Sequence, residues 1–245
     1  NSKFASLIRV ISMKVHKSIG IYKKIDAYIC PTKFLKEKLG ENGFEKDKIH
    51  NIPTFTYVDK NVKENIGNYA LYYGRISPEK GVEYAIKAYE KLGDKYQLTI
   101  TGDDTTEEAI KLKEYVKEHN INNVKFTGFK SGDELKQIIK ESKFVIVPSI
   151  WYENLPNTIL ESFANKKPVI ATDIGSLKDT IKDGENGYKF KTKDVDSLIE
   201  KIKLMDDEDN IRIMGENAYN DAKTIYSIDN HYEELMKIFN KVIKE

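Results

Sequence analysis

Two cations and two carboxylates are placed where they could handle a polar, negatively charged ligand. Arg75 and Lys80 lie in GRISPEKG (residues 74–81), between the apolar run YALYY and a helical pattern that starts at Val82. A guanidinium offers a planar fork of donors and an ammonium a mobile point charge. Gly74 and Gly81 let backbone approach a ligand closely, and the helix that follows opens with unpaired N–H groups. Together these make an anion site. The loop lacks the GK[ST] ending of a phosphate-binding NTPase loop and is not GxGxxG, so dinucleotide redox chemistry is poorly supported. The plainer alternative is a surface loop in which Glu79 pairs with a lysine.

The carboxylates are Glu153 and Glu161, within FVIVPSIWYENLPNTILESFANKKPVIAT (residues 144–172). This stretch reads as strand, turn-rich loop, helix, strand. Asn157 offers a side-chain oxygen as a cap, and Ile159, Leu160, Phe163 and Ala164 recur at helical spacing. A carboxylate before a helix and another in its second turn could hold two parts of one ligand. Equally, both could be solvated helix-end acids favoured by the helix dipole. Gly102, with Asp103, ends another strand, and Gly128 a third; Gly102 either leaves room for a ligand or makes a turn. The four histidines, His16, His50, His119 and His231, show no metal-ligand spacing. The acids at 206–209 suit helix capping, and Ser149 and Ser162 lack the context of a nucleophile.

The elements that must position these groups alternate. From Tyr69 onward strands at 69–74, 97–102, 124–128, 144–148, 168–172 and 188–190 are separated by helices at 82–92, 106–119, 132–142, 157–164 and 177–181. Helices at 197–205, 209–225 and 229–243 follow. Such alternation predicts an α/β fold: a Rossmann-like parallel sheet with helices on both faces, its ligands at the carboxyl ends of the strands. Upstream lie a helix over residues 1–25, a strand DAYICP, a helix over 33–39 capped by Thr32 and closed by Gly40 and Gly43, and a strand KIHNIP. Residues 54–68 are polar and read as a linker.

The 245 residues carry 40 basic and 39 acidic groups, a net charge of +1, which argues against nucleic-acid binding by bulk charge. The one cysteine, Cys30, sits in an apolar run and suits a buried thiol in a reducing compartment. No apolar run is long enough to span a bilayer. Residues 1–25 hold six basic groups and no acid, and Leu7, Ile8, Ile11, Val15 and Ile19 recur at three- and four-residue steps. That helix would suit an anionic membrane surface, giving peripheral membrane association; the alternative is a domain helix with its apolar stripe in a core.

Taken in order, GRISPEKG, LTITGD, VKFTGF, FVIVPS, YENLPNTILESFANKKPVIATDIGS and DGENGYKF resemble the retaining nucleotide-sugar glycosyltransferases of the GT-B fold called family 4. The likeness runs from Tyr69 to Tyr226. It implies an incomplete N-terminal GT-B domain at 1–55, a linker at 56–68, a donor-binding domain at 69–226, and a C-terminal helix at 227–245 crossing back to the N-terminal part. It implies catalytic roles for Arg75, Lys80 and Glu153: the cations on the donor diphosphate, the acid toward the donor sugar. Donor-binding positions would be Gly74 and Gly102; Phe129 and Lys130, near the base; Asn154, beside the sugar pocket; Leu155, Pro156, Asn157 and Thr158, at the phosphates; and Glu161, on the ribose. The expected reaction moves a sugar from a UDP- or GDP-sugar to a glycan or lipid acceptor, at the cytoplasmic side of a membrane, with no metal and no cofactor. The chain alone would bind donor with little or no transfer. A non-catalytic nucleotide-sugar-binding subunit is the alternative. Asn154 stands where the family usually has glycine, as does Lys166. The family's glycine-rich acceptor loop and sugar-facing histidine have no counterpart in these residues.

Overall fold

The computed structural model describes residues 3–244. Ten helices and eight strands are seen among them. The first part contains α1 (Lys3–Ser18), β1 (Tyr28–Cys30), α2 (Lys33–Glu41) and β2 (Ile49–Asn51). β1 and β2 pair in parallel as a two-stranded sheet. Thr32 caps α2, accepting from the Leu35 N–H at 3.2 Å. Gly40 does not close that helix as expected; α2 runs on to Glu41, and Gly43 (φ +83°) turns the chain.

The second part contains β3 (Tyr69–Tyr73), α3 (Val82–Leu92), β4 (Gln97–Thr101), α4 (Glu107–Glu118), β5 (Val124–Phe126), α5 (Gly132–Glu141) and β6 (Phe144–Val147). It continues with α6 (Asn157–Ala164), β7 (Val169–Thr172), α7 (Gly175–Thr180), β8 (Gly187–Phe190), α8 (Val195–Leu204), α9 (Glu208–Thr224) and α10 (Ile228–Lys244). The strands β3 to β8 form one parallel sheet in the order β5-β4-β3-β6-β7-β8. The chain builds outward from β3 to one edge, then returns to lay β6 on the other side of β3. Parallel neighbours need crossovers, and these are the helices. The predicted α/β class and parallel sheet are therefore observed.

Strand periodicity divides the core into two layers. Ala70, Tyr72, Phe144, Ile146 and Ile170 pack with α3, α4 and α8 on one face. Leu71, Tyr73, Val145, Val147, Val169 and Ala171 pack with α6, α7 and the end of α9 on the other. Every residue of β6 and β7 is buried, as expected of strands covered on both faces. α8 and α9 begin slightly earlier than the sequence predicts, because Asp194 and Asp207 cap them by accepting from the N–H groups of Ser197 and Asn210. α7 likewise starts at Gly175.

Residues 54–68 have no regular structure but are tied down. Thr56 N–H donates to the Tyr226 carbonyl at 2.9 Å, and the Tyr219 hydroxyl donates to the Asp59 carbonyl at 2.9 Å. Lys167, only 2% exposed, donates to the carbonyls of Asn65 at 2.5 Å and Ser142 at 2.7 Å. Burial pushes its ammonium down to about 8. The unfolded chain therefore binds more protons than the folded one between about pH 8 and 10.5, so this group's contribution to stability rises with pH across that window. In thermal melts the rise is expected in the wild type and lost from the wild-type slope in Lys167→Met.

α1 does not bury its apolar stripe: Leu7, Ile8, Ile11 and Val15 are all about half exposed or more, as is Ile19, which lies beyond the helix because α1 stops at Ser18 rather than running to residue 25. The reading of α1 as a helix packed into a core is not realised among the described residues, because nothing there covers this face. No described helix is long and apolar enough to cross a membrane.

Candidate functional site

The site lies where the sheet order reverses, between β3 and β6. Loops leaving adjacent parallel strands for opposite sides open a crevice at their carboxyl ends. The loop after β3 carries Arg75 and Lys80, and the loop after β6 carries Glu153. Gly74, Arg75, Lys80, Glu153, Asn157 and Thr158 share the wall of a cavity of about 210 Å³. Pro156 borders it too.

Two glycines make the close approach possible. Gly81 adopts φ +66°, and a Cβ there would lie 2.1 Å from the Pro148 carbonyl oxygen. The two loops thus touch backbone to backbone, and Ile150 N–H donates to the Glu79 carbonyl at 3.0 Å. Gly102 is needed for a similar reason. A Cβ there would lie 2.2 Å from the Gly74 carbonyl oxygen, so the demand comes from the neighbouring strand end rather than from a turn.

Lys80 meets Glu153 directly, with Nζ 2.5 Å from Oε1 and side chains 21% and 17% exposed. The Ser149 hydroxyl donates to the same oxygen at 2.6 Å. Thr172 holds the Ser149 carbonyl at 2.7 Å, and Ser176 holds the Glu153 carbonyl at 2.7 Å. The loop acid is therefore fixed from three sides. Arg75 is different: its side chain is 77% exposed and reaches Glu79 at 3.9 Å. The alternative pairing of Glu79 with a lysine is thus replaced by one with Arg75, because the i,i+4 geometry brings these two together while Lys80 turns inward. The Glu79 carboxyl is held below its ordinary range, mainly by its own backbone N–H.

α6 starts at Asn157 with Pro156 in the capping position, and no side chain caps it. The predicted capping role of Asn157 is therefore not realised: Pro156 takes the extended backbone, which makes Asn157 the first helical residue. The open first turn at Asn157 and Thr158 borders the cavity, where its N–H groups and the helix dipole favour an anion.

Glu161 is on the same helix but lines a separate, larger cavity of about 640 Å³, with Tyr57, Lys136 and Asn165 among its walls. Burial raises its carboxyl above the ordinary range, partly opposed by the Tyr73 hydroxyl. The two acids thus line different cavities. Leu155 packs against the core. Asn154 is exposed, and its side-chain oxygen lies 3.4 Å from the Thr32 hydroxyl at the start of α2. Phe129 is 72% exposed and Lys130 pairs with Glu134 at 3.4 Å; neither lines either cavity.

Sequence reading missed the supports. Tyr72 and Tyr73 were legible only as apolar strand residues. At the strand end they point to opposite faces, and Tyr72 donates to the Arg75 carbonyl while Tyr73 donates to the Thr158 carbonyl at 2.7 Å. One hydroxyl braces the cation loop and the other braces the α6 N-terminus. The alternation of a strand was the available signal. Ser149, considered only as a nucleophile, holds the acid instead.

The profile of the family described as "Glycosyl transferases group 1" matches residues 54–221. An uncharacterised glycosyltransferase of Methanocaldococcus jannaschii is 31% identical over 219 residues, covering 86% of this chain and 60% of the relative. The alpha-D-kanosaminyltransferase of Streptomyces kanamyceticus is 31% identical over 179 residues, 70% of this chain and 45% of the relative. The chain therefore spans roughly half of the length of these relatives. Among solved structures, a glycosyltransferase of Rickettsia africae superposes with a TM-score of 0.80 at 22% identity, covering 90% of this chain and 64% of that one. HepE of Anabaena in complex with UDP gives a TM-score of 0.80 at 17% identity, covering 88% and 64%.

Proposed function

The chain belongs to the glycosyl transferases group 1 family, has the GT-B type of fold of its structural neighbours, and from that premise we propose that it forms the donor-binding half of a retaining, family 4 enzyme. The observation that carries this is the convergence of Lys80, Glu153 and the uncapped α6 N-terminus on one cavity at the switch point of the sheet. In this reading the diphosphate of a UDP- or GDP-sugar lies between the Arg75/Lys80 loop and the first turn of α6. Charge on the leaving phosphate is met there by two cations and helix N–H groups, which is electrostatic stabilisation of the departing group. Glu153 faces the sugar, and Glu161 takes the ribose hydroxyls. Phe129 and Lys130 would meet the base through their backbone. The arrangement needs no divalent ion, so EDTA is expected to leave nucleotide binding unchanged.

We read residues 1–55 as part of the acceptor-side domain, 56–68 as the linker, 69–226 as the donor domain and 227–245 as the returning helix. The His231 ring, 2.7 Å from the Pro53 carbonyl and 5.1 Å from the Phe55 ring, supports that return. In this reading the chain by itself binds donor with little or no transfer to a glycan or lipid acceptor. The exposed basic face of α1 supports peripheral contact with the cytoplasmic leaflet of a membrane. Polysaccharide biosynthesis is the matching role.

Calorimetry with UDP, GDP and ADP and their glucose conjugates tests the reading; binding to none of the six removes it. Because the Glu161 carboxyl is raised, its ionised form is lost at a higher pH than for an ordinary glutamate. Affinity is expected to fall on acidification starting above the usual carboxylate range. Glu161→Gln should weaken binding at pH 7 by about tenfold, within the range for a hydrogen bond to a charged group, and flatten that pH dependence.

A further inference from the structure

Lys80 and Glu153, assigned to different parts of the donor, are bonded to each other at 2.5 Å. Both the Lys80 ammonium and the Ser149 hydroxyl go to the same oxygen, Oε1. Oε2 takes no hydrogen bond among the described residues. Glu153 borders the same cavity as Asn157 and Thr158. A diphosphate that enters must therefore share Lys80 with a carboxylate already in place, close to its own negative charge and only partly screened by solvent.

The consequence differs for two ligands of the same site. A bare nucleoside diphosphate ends in a phosphate monoester, whose second ionisation near pH 6 leaves it close to doubly charged at neutral pH. It brings nothing that can donate to Oε2. In a nucleotide sugar the terminal phosphate is a diester with a single charge, and the attached sugar carries hydroxyl donors. Resting on the donor-site reading above, we propose that the Lys80–Glu153 pair is a selectivity element: it disfavours the nucleoside diphosphate product and favours the intact nucleotide sugar. Glu153 then does two things with its two oxygens. Oε1 competes with phosphate for Lys80, and Oε2 accepts from a sugar hydroxyl. Product release follows from the same charge that helps to hold the donor.

The test is calorimetry of UDP and UDP-glucose, GDP and GDP-glucose, or ADP and ADP-glucose, whichever pair the wild type binds. Glu153→Gln keeps the shape and leaves an amide oxygen for Ser149 and Lys80, so the loop retains its anchor, but the charge is gone. The expected result is severalfold tighter binding of the nucleoside diphosphate, unchanged or weaker binding of the nucleotide sugar, and so a reversed or levelled preference. Glu153→Asp restores the charge and is expected to restore the wild-type order. A wild type that binds nucleotide while Glu153→Gln leaves the ratio unaltered, or weakens the diphosphate, overturns this proposal and spares the donor site. A wild type that binds none of the six ligands overturns both.

Discussion

Lys80→Ala is expected to lower affinity for a nucleoside diphosphate by about 10- to 100-fold, the loss for one charge-assisted hydrogen bond of about 1.5–3 kcal/mol. Arg75→Ala should lose less. The Lys80 side chain is 21% exposed and fixed by an acid, whereas that of Arg75 is 77% exposed. A partly desolvated charge interacts more strongly with an anion than one in water, and a mobile guanidinium must also be ordered on binding. Lys80→Ala additionally leaves Glu153 with Ser149 as its remaining side-chain donor. Melting curves of the same preparation separate that loss of stability from the loss of affinity. Unchanged affinity in both variants would show that the anion site is elsewhere.

Gly81→Ala is expected to destabilise the protein by about 2–6 kcal/mol and to disturb the cavity with it. A Cβ at Gly81 would lie 2.1 Å from the Pro148 carbonyl oxygen, at a backbone φ of +66°. Overpacking typically costs about 1–3 kcal/mol, and a side chain held in the left-handed region about 1–3 kcal/mol more. The atom it meets is backbone of the β6 loop, so the two loops can separate only by moving Lys80 away from Glu153. Urea unfolding reports the first effect and nucleotide calorimetry the second. Gly20→Ala is the comparison, since its φ of +70° and ψ of 22° nearly match the +66° and 23° of Gly81, while its Cβ would meet nothing nearer than the Lys23 side chain at 3.9 Å. It carries the backbone strain without the collision, and wild-type-like binding is expected.

Much of the sheet could be read from the residues. β6 and β7 are unbroken apolar runs, and the residues between strands recur at helical spacing, so a parallel sheet follows from burial on both faces. The placement of Arg75, Lys80, Glu153 and Glu161 at strand and helix ends was equally legible, since loop and helix signals are local. Capping was less so. Asn157 has the right side chain for a cap, but Pro156 holds the extended conformation and shifts the helix start by one residue. α1 shows a different limit: its pattern defines an apolar face, and the pattern alone does not say what meets it.

By itself, then, the sequence determined the fold class, the edge of the sheet that carries the candidate site, and the residue types available there. It did so because hydrophobic periodicity, glycine and helix-end charges act over a few neighbouring positions. Only the tertiary structure decided which charges meet. Lys80 and Glu153 are joined across two loops because β6 returns beside β3, not because of anything in either loop. Tyr72 and Tyr73 brace different walls of the site because successive strand residues face opposite layers. Gly102 is required by the carbonyl of Gly74, a neighbour only in the folded sheet. Contacts between distant segments depend on strand order and register, and those are set by the packing of the whole core.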